Sequence, residues 1–213
     1  MGKLLKVLVW FAVVVGAVIG VARLTAIRWW RIPWDDPYVE ASIAPTLRGG
    51  DLVLLWRATP PNFGALVVCP DPEDASRVVI GRLVGEGGDR VSINGDRMEI
   101  NDRAVHTETN CSEAMFQVDD PNTGSTVEQA CVIEDLGGVG HMRGSTIGDK
   151  GPAPSTREVG QGKAFLVSDN RQFPYDSRNY GALDAATCKE SIFFRLVSKK
   201  GFFDVKPRLT YIR

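Results

Sequence analysis

The sequence predicts a mainly β domain carried behind one N-terminal transmembrane helix. Three observations lead there. An uncharged apolar stretch, VLVWFAVVVGAVIGVA at 7–22, opens the chain; short apolar runs broken by Gly, Pro, Asn and Asp follow from residue 50; and no window after residue 40 sustains a long 3.6-residue apolar period.

The apolar stretch is extended by Leu4, Leu5 and Leu24 toward the ~20 residues that a bilayer-spanning helix needs. Lys6 and Arg23 stand at its two ends, where their stems can run along lipid while the charges reach water. Trp29, Trp30 and Trp34 follow among Arg28 and Arg31, a composition expected at a membrane–water interface. Gly20-Val21-Ala22 would also serve as the small-x-small cleavage site of a removed signal peptide, but the run is long for that role. A buried soluble helix would keep a polar face, which this stretch lacks. Basic residues flank the span on both sides, so charge does not fix its orientation. Residues 1–31 carry +5 and the remainder −6, giving a net charge of −1; this balance argues against a nucleic-acid partner. The organisation expected is an anchor at 1–28 and a β domain at 29–213, with an irregular insertion at about 101–162.

Within the body, 51–56, 64–69, 78–80, 90–93, 98–100, 163–167 and 192–197 read as strands. Asn94-Gly95 is a hairpin signal of the type I′ kind. A short helical turn is expected near Asp184–Lys189, and nothing alternates in βαβ fashion. Of the four cysteines, Cys111 and Cys131 both fall in the insertion, so export would make a disulfide between them feasible; buried free thiols are the other reading. His106 and His141 lack ligand spacing and there is no CxxC, so no metal and no cofactor is expected.

Three segments carry the functional signal. The first is Ser42-Ile43-Ala44-Pro45-Thr46-Leu47, followed by Gly50-Asp51. The second runs from Gly81-Arg82 through Gly85 to Gly88-Asp89. The third is Asp169-Asn170-Arg171, then Asp176-Ser177-Arg178 and Gly181. Alone, each reads as a turn, a glycine hairpin or a polar loop. In this order behind a membrane span, they resemble bacterial signal peptidase I, the membrane-anchored serine endopeptidase that removes signal peptides. The resemblance implies an antiparallel coiled-sheet domain, a Ser/Lys dyad with Ser42 as nucleophile, and a supporting set formed by Asp169, Asn170, Arg171, Asp176, Ser177 and Arg178. The substrate implied is the extended signal-peptide segment of a preprotein, with small side chains at the first and third positions before the cut, adding to a strand edge.

The chain departs from that pattern at three positions. The general-base lysine, which must sit in an apolar pocket to stay neutral, falls on Gly81. The serine that would hold that lysine falls on Pro174. Glu40 occupies an oxyanion-side position; on an extended chain it would share a face with Ser42, and an ionised carboxylate there would oppose a developing oxyanion. Candidate replacement bases are Glu40, Lys150, Lys163, His141 and, less directly, His106. Two functions follow. One is a signal peptidase I-like enzyme whose base is missing or replaced; the other is a catalytically impaired homologue that binds extended peptides or regulates an active peptidase. The location expected by resemblance is the inner membrane, single-pass, with lipid as a partner and the main domain on the periplasmic side.

Overall fold

A computed structural model of the chain describes residues 2–148 and 151–213. Helix α1 (Lys3–Thr25) is exposed along its apolar length, and Lys3–Arg23 is long and apolar enough to cross a membrane. Strand β1 (Ile27–Arg31) follows directly, beginning inside the stretch expected to be anchor. This corrects the interfacial role expected for all three tryptophans. Trp29 and Trp34 are exposed, but Trp30 packs against the main apolar core. In a strand successive side chains take opposite faces, so Trp29 and Trp30 cannot share one environment.

Beyond β1 the chain forms an unforeseen helix, α2 (Pro37–Ile43), where Glu40–Ser42 was expected to be extended. Its signal is short: Asp36 accepts from the Tyr38 and Val39 amides, and Pro37 supplies a pre-set φ in the first turn. Val39 and Ile43, four residues apart, drop into the core with Ile32, Leu47, Leu55 and Ile80.

The body continues with β2 (Leu52–Trp56), β3 (Leu66–Pro70), β4 (Val78–Glu86), β5 (Arg90–Asn94), β6 (Arg97–Ile100) and β7 (Arg103–Ala104). Next come β8 (Thr107–Asp119), β9 (Thr126–Leu136), β10 (Val139–Ser145), β11 (Ser155–Glu158) and β12 (Lys163–Val167). The chain ends with α3 (Ser177–Tyr180), β13 (Leu183–Asp184), a 3₁₀ turn at Ala185–Thr187, β14 (Glu190–Val197) and β15 (Thr210–Tyr211). The largest sheet runs β1-β2-β14-β3-β4-β12-β13, with β15 on β14; β10-β9-β8 and β11-β5-β6-β7 form two smaller sheets. The named strands pair antiparallel, as expected.

Two expectations need correction. The β5–β6 loop is Gly95–Asp96, one residue later than expected, because Asn94 still pairs with Arg97. Of its two central residues only Gly95 has positive φ (61°), which is the requirement of a type II′ turn rather than type I′. The insertion, expected to be irregular with some strand content, contains the two longest strands among the described residues, β8 and β9, of 13 and 11 residues. Their polar composition hid them: β9 alternates between exposed and buried positions, as strands with one wet face do.

Cys111 and Cys131 are bonded across β8 and β9, as expected on export. A second disulfide, unforeseen, joins Cys69 at the end of β3 to Cys188 before β14, 119 residues apart in sequence. Those two strands are neighbours only in the finished sheet, so spacing gave no hint of the pairing. In a chain-entropy estimate the cost of losing a disulfide grows with the loop it closes. Replacing Cys69 and Cys188 with alanine should therefore cost about 5 kcal/mol, against about 3 for Cys111 and Cys131. Urea denaturation of the full chain in detergent measures the difference.

Candidate active site

The three sequence segments meet at one carboxylate. Asp169, which follows β12, is 1% exposed. Arg82, at the middle of β4, donates to it from Nε at 2.8 Å and from Nη2 at 3.1 Å, a two-pronged charged contact. Thr46, just after α2, donates its hydroxyl at 2.5 Å to Oδ2, the oxygen that Arg82 Nη2 also contacts. Arg82 spends its remaining nitrogen on the Gly64 and Arg213 carbonyls, so a fully buried guanidinium is satisfied.

Backbone bonds lock the same junction. The Asn170 amide donates to the Ser42 carbonyl at 2.9 Å, and Gly144 on β10 exchanges bonds with Asp169 and Arg171. Asn170 caps the following loop by accepting from the Gln172 and Phe173 amides, and its side-chain amide donates to Gln129 on β9. Further along, Asp176 accepts from the Ser168 amide and from Arg178, and it caps α3. Burial alone would raise the Asp176 carboxyl, but Arg178 and these donors hold it below the usual carboxylate range. Ser177 accepts from the Leu166 amide, where a register shift in the β4–β12 ladder frees that donor. Asp169, Asn170, Arg171, Asp176, Ser177 and Arg178 thus form a connected scaffold rather than a set of exposed reactive groups.

A second cluster, centred on Glu134 of β9, was not foreseen. Arg171 pairs with Glu134, Arg143 lies 3.5 Å from it, and His141 Nε2 lies 3.3 Å from it and 3.8 Å from Asp169. Neither ring nitrogen of His141 makes a well-aligned hydrogen bond among the described residues. Burial opposes ionisation of Glu134, yet Arg171, His141 and Arg143 pull its pKa down to about 2. Its members come from β9, β10 and the loop after β12, so no local sequence pattern marked the cluster.

Ser42 lies on α2 and is 1% exposed. Its hydroxyl donates to the Val39 carbonyl one turn back, at 3.0 Å. Glu40 does not sit beside it. The premise of an extended chain fails because α2 is helical, and residues two apart on a helix point about 200° apart. Glu40 instead lines a cavity of about 280 Å³ with Ala44, Arg48 and Val118. Gly81 is buried on β4, two pairs from the end of the β3 ladder, opposite Val67. A Cβ placed there would stand 3.1 Å from Leu166 Cβ and 3.3 Å from the Val167 carbonyl oxygen. Pro174 is half-buried in the loop between Asn170 and Asp176. Of the replacement bases, Lys163 and His106 are exposed, His141 faces the carboxylates of Glu134 and Asp169, and Lys150 lies outside the described residues.

The family model described as "Signal peptidase, peptidase S26" matches residues 4–197. The chain belongs to the signal peptidase I family. No individual curated protein matched it. Membership carries the family's membrane anchoring and its signal-peptide processing, and α1 provides a helix suited to the first.

Two predictions follow from the site's electrostatics. Asp169→Asn or Arg82→Met should each cost about 3–5 kcal/mol, because each strands a buried charge. The double variant should cost clearly less than the two combined, as a double-mutant cycle by denaturation will measure. Glu134 has a depressed folded-state pKa, so its contribution is complete above its unfolded value of 4.5 and is lost as pH falls toward about 2. Stability of the full chain should drop across that window, and Glu134→Gln should flatten the slope by up to one proton. An unchanged slope would mean that Glu134 is not held ionised.

Proposed function

We propose that this member of the signal peptidase I family handles signal-peptide segments of exported preproteins at the inner membrane, and that it binds them better than it cuts them. In this reading an N-terminal anchor holds a β body on the periplasmic side, with the division near residue 28. Ser42 holds the nucleophile's position, and the peptide enters as an extended strand with small side chains before the scissile bond.

The observation that carries the reading is the state of Ser42. Its hydroxyl is buried and bonded to a backbone carbonyl, and no titratable side chain bonds to it among the described residues. A serine hydroxyl is a weak nucleophile until a base takes its proton. Gly81, where the resemblance puts that base, offers no side chain, and Leu166 and the β12 backbone close the space a Cβ would need. Pro174, at the position of the lysine's hydroxyl partner, offers no donor.

A second reading keeps the enzyme fully active through another base. His141 favours it, as a buried ring near Asp169 with two nitrogens lacking well-aligned partners. That reading requires the imidazole to turn from the carboxylates to Ser42.

Cleavage of a preprotein by the purified full chain separates the two. We expect slow or absent cleavage, little changed by Ser42→Ala, with peptide binding retained. Robust cleavage abolished by Ser42→Ala would overturn the binding reading, and loss of that cleavage in His141→Gln would identify the base. Gly81→Ala alone should cost about 1–3 kcal/mol, since its neighbours are a Cβ and a backbone oxygen that cannot swing aside. Gly81→Lys with Pro174→Ser should carry that same cost and yet raise cleavage above the native level.

A further inference from the structure

The first half of β4 has a strand on one side and none on the other. The Asp71 amide donates to the Arg77 carbonyl and the Leu83 amide to the Ala65 carbonyl, both toward β3. Bonded pairs alternate along an antiparallel ladder, so Val79 and Gly81 also face β3 with their amides and carbonyls, while Val78, Ile80 and Arg82 turn theirs away. Arg82 is met on that far side by Val167, the last residue of β12. Val78 and Ile80 meet no hydrogen-bonding partner there among the described residues. Ile80 is nevertheless only 1% exposed. A buried backbone amide and carbonyl left unpaired cost stability, and an added extended strand would satisfy both.

The cover over this edge comes from both faces of the strand. Val39 and Ile43 of α2 pack with Ile80 on one face, and Tyr175, from the loop before α3, packs with Val79 on the other. The rings of Tyr38 and Tyr175 then meet, with centroids 5.9 Å apart. Beside them stands Arg77, the residue before β4, 3.2 Å from the Asp36 cap of α2 and 5.5 Å from the Tyr175 ring. The two halves of this cover are held unequally. The Tyr175 hydroxyl donates to buried Asp71 at 2.7 Å, and its loop is capped by Asn170 and Asp176. Tyr38 is 40% exposed and reaches only Asn122 of the β8–β9 turn, at 3.3 Å. The Arg77 side chain is 41% exposed, and an ion pair so open to water contributes little. The α2 half is therefore the one that can let go.

We propose that Tyr38 and the Asp36–Arg77 pair form a latch, which shuts the free edge of β4 against an extended peptide until both release. The proposal rests on the peptide-binding reading above and adds a regulation to it. Opening swings the Tyr38 ring toward solvent and parts Arg77 from Asp36, while Val39 and Ile43 keep their places in the core. The core contacts of α2 thus survive the motion. A shut latch lowers the apparent affinity by the fraction of molecules that stand open. Breaking the latch should then tighten binding although it adds no contact to the peptide.

The test titrates the full chain in detergent against a fluorescein-labelled peptide with alanine at the first and third positions before the scissile bond. Fluorescence anisotropy reads the affinity. Expected is several-fold tighter binding by Arg77→Gln and by Tyr38→Ala than by the native chain. In Tyr38→Cys/Tyr175→Cys, joining the two thiols with a short bifunctional reagent should abolish the binding measured before the reaction. Hydrogen exchange of the native chain gives a reading free of any substitution: saturating peptide should slow the Ile80 amide several-fold. Unchanged affinity in both opening variants overturns the latch and spares peptide binding, and so does binding retained after cross-linking. An Ile80 amide that exchanges as fast with bound peptide as without it puts the peptide elsewhere and overturns the latch too. Absence of binding by the native chain and by every variant overturns the peptide-binding reading, and the latch with it.

Discussion

The pairing of Arg82 with Asp169 is the contact on which the rest of the molecule depends. Arg82 belongs to an inner strand of the main sheet, β4, and Asp169 to the loop that leaves the neighbouring strand. Both are buried, so neither charge can be released to water without a large penalty. The fork geometry fixes the carboxylate's direction, and the free edge of that carboxylate then selects Thr46. Thr46 ties the segment after α2 to that carboxylate, and the Asn170 amide holds the Ser42 carbonyl against the same loop. One ion pair therefore positions residues separated by more than a hundred places in the chain.

The Glu134 cluster extends this constraint into the insertion. Three arginines, two acids and a histidine lie within a region almost closed to solvent. Hydrophobic residues of the same volume would often be at least as stable. What the charges add is direction: Glu134 can satisfy Arg171 only if β9 stands at one height against the 169–171 loop. The β8–β9 hairpin, cross-linked by Cys111 and Cys131, is thereby docked on the main sheet at a defined register and not merely adsorbed to it.

Much of the frame was legible in the sequence. An uninterrupted apolar run has one stable use in a membrane, and strand-length apolar runs punctuated by glycine have few alternatives, so α1 and five main-sheet strands, β2, β3, β4, β12 and β14, emerge from pattern alone. What stayed hidden was set by partners distant in the chain. Helix α2 spans seven residues and owes its existence to the Asp36 cap and to core contacts of Val39 and Ile43, none of which yields a long period. Its helicity reverses the expected relation of Glu40 to Ser42. The Cys69–Cys188 pairing became visible only when β3 and β14 were neighbours. Polar strands such as β8 and β9 looked irregular because each has a wet face.

The scaffold also distinguishes what the third motif does for the fold from what a base lysine would do for chemistry. Asp169, Asn170, Arg171, Asp176, Ser177 and Arg178 are consumed by capping, bulge repair and buried ion pairing, each of which the fold requires whether or not a peptide is cut. Losing one of them exposes a buried charge or an orphaned amide. A base lysine is different: a neutral amine in an apolar pocket contributes chemistry and little to the fold, and in this chain Leu166 packs closely against Gly81. The same asymmetry applies to Pro174, whose hydroxyl-bearing counterpart would serve only that lysine. The fold alone therefore accounts for the third motif, so its presence in this chain reports the architecture of the family and carries no statement about turnover.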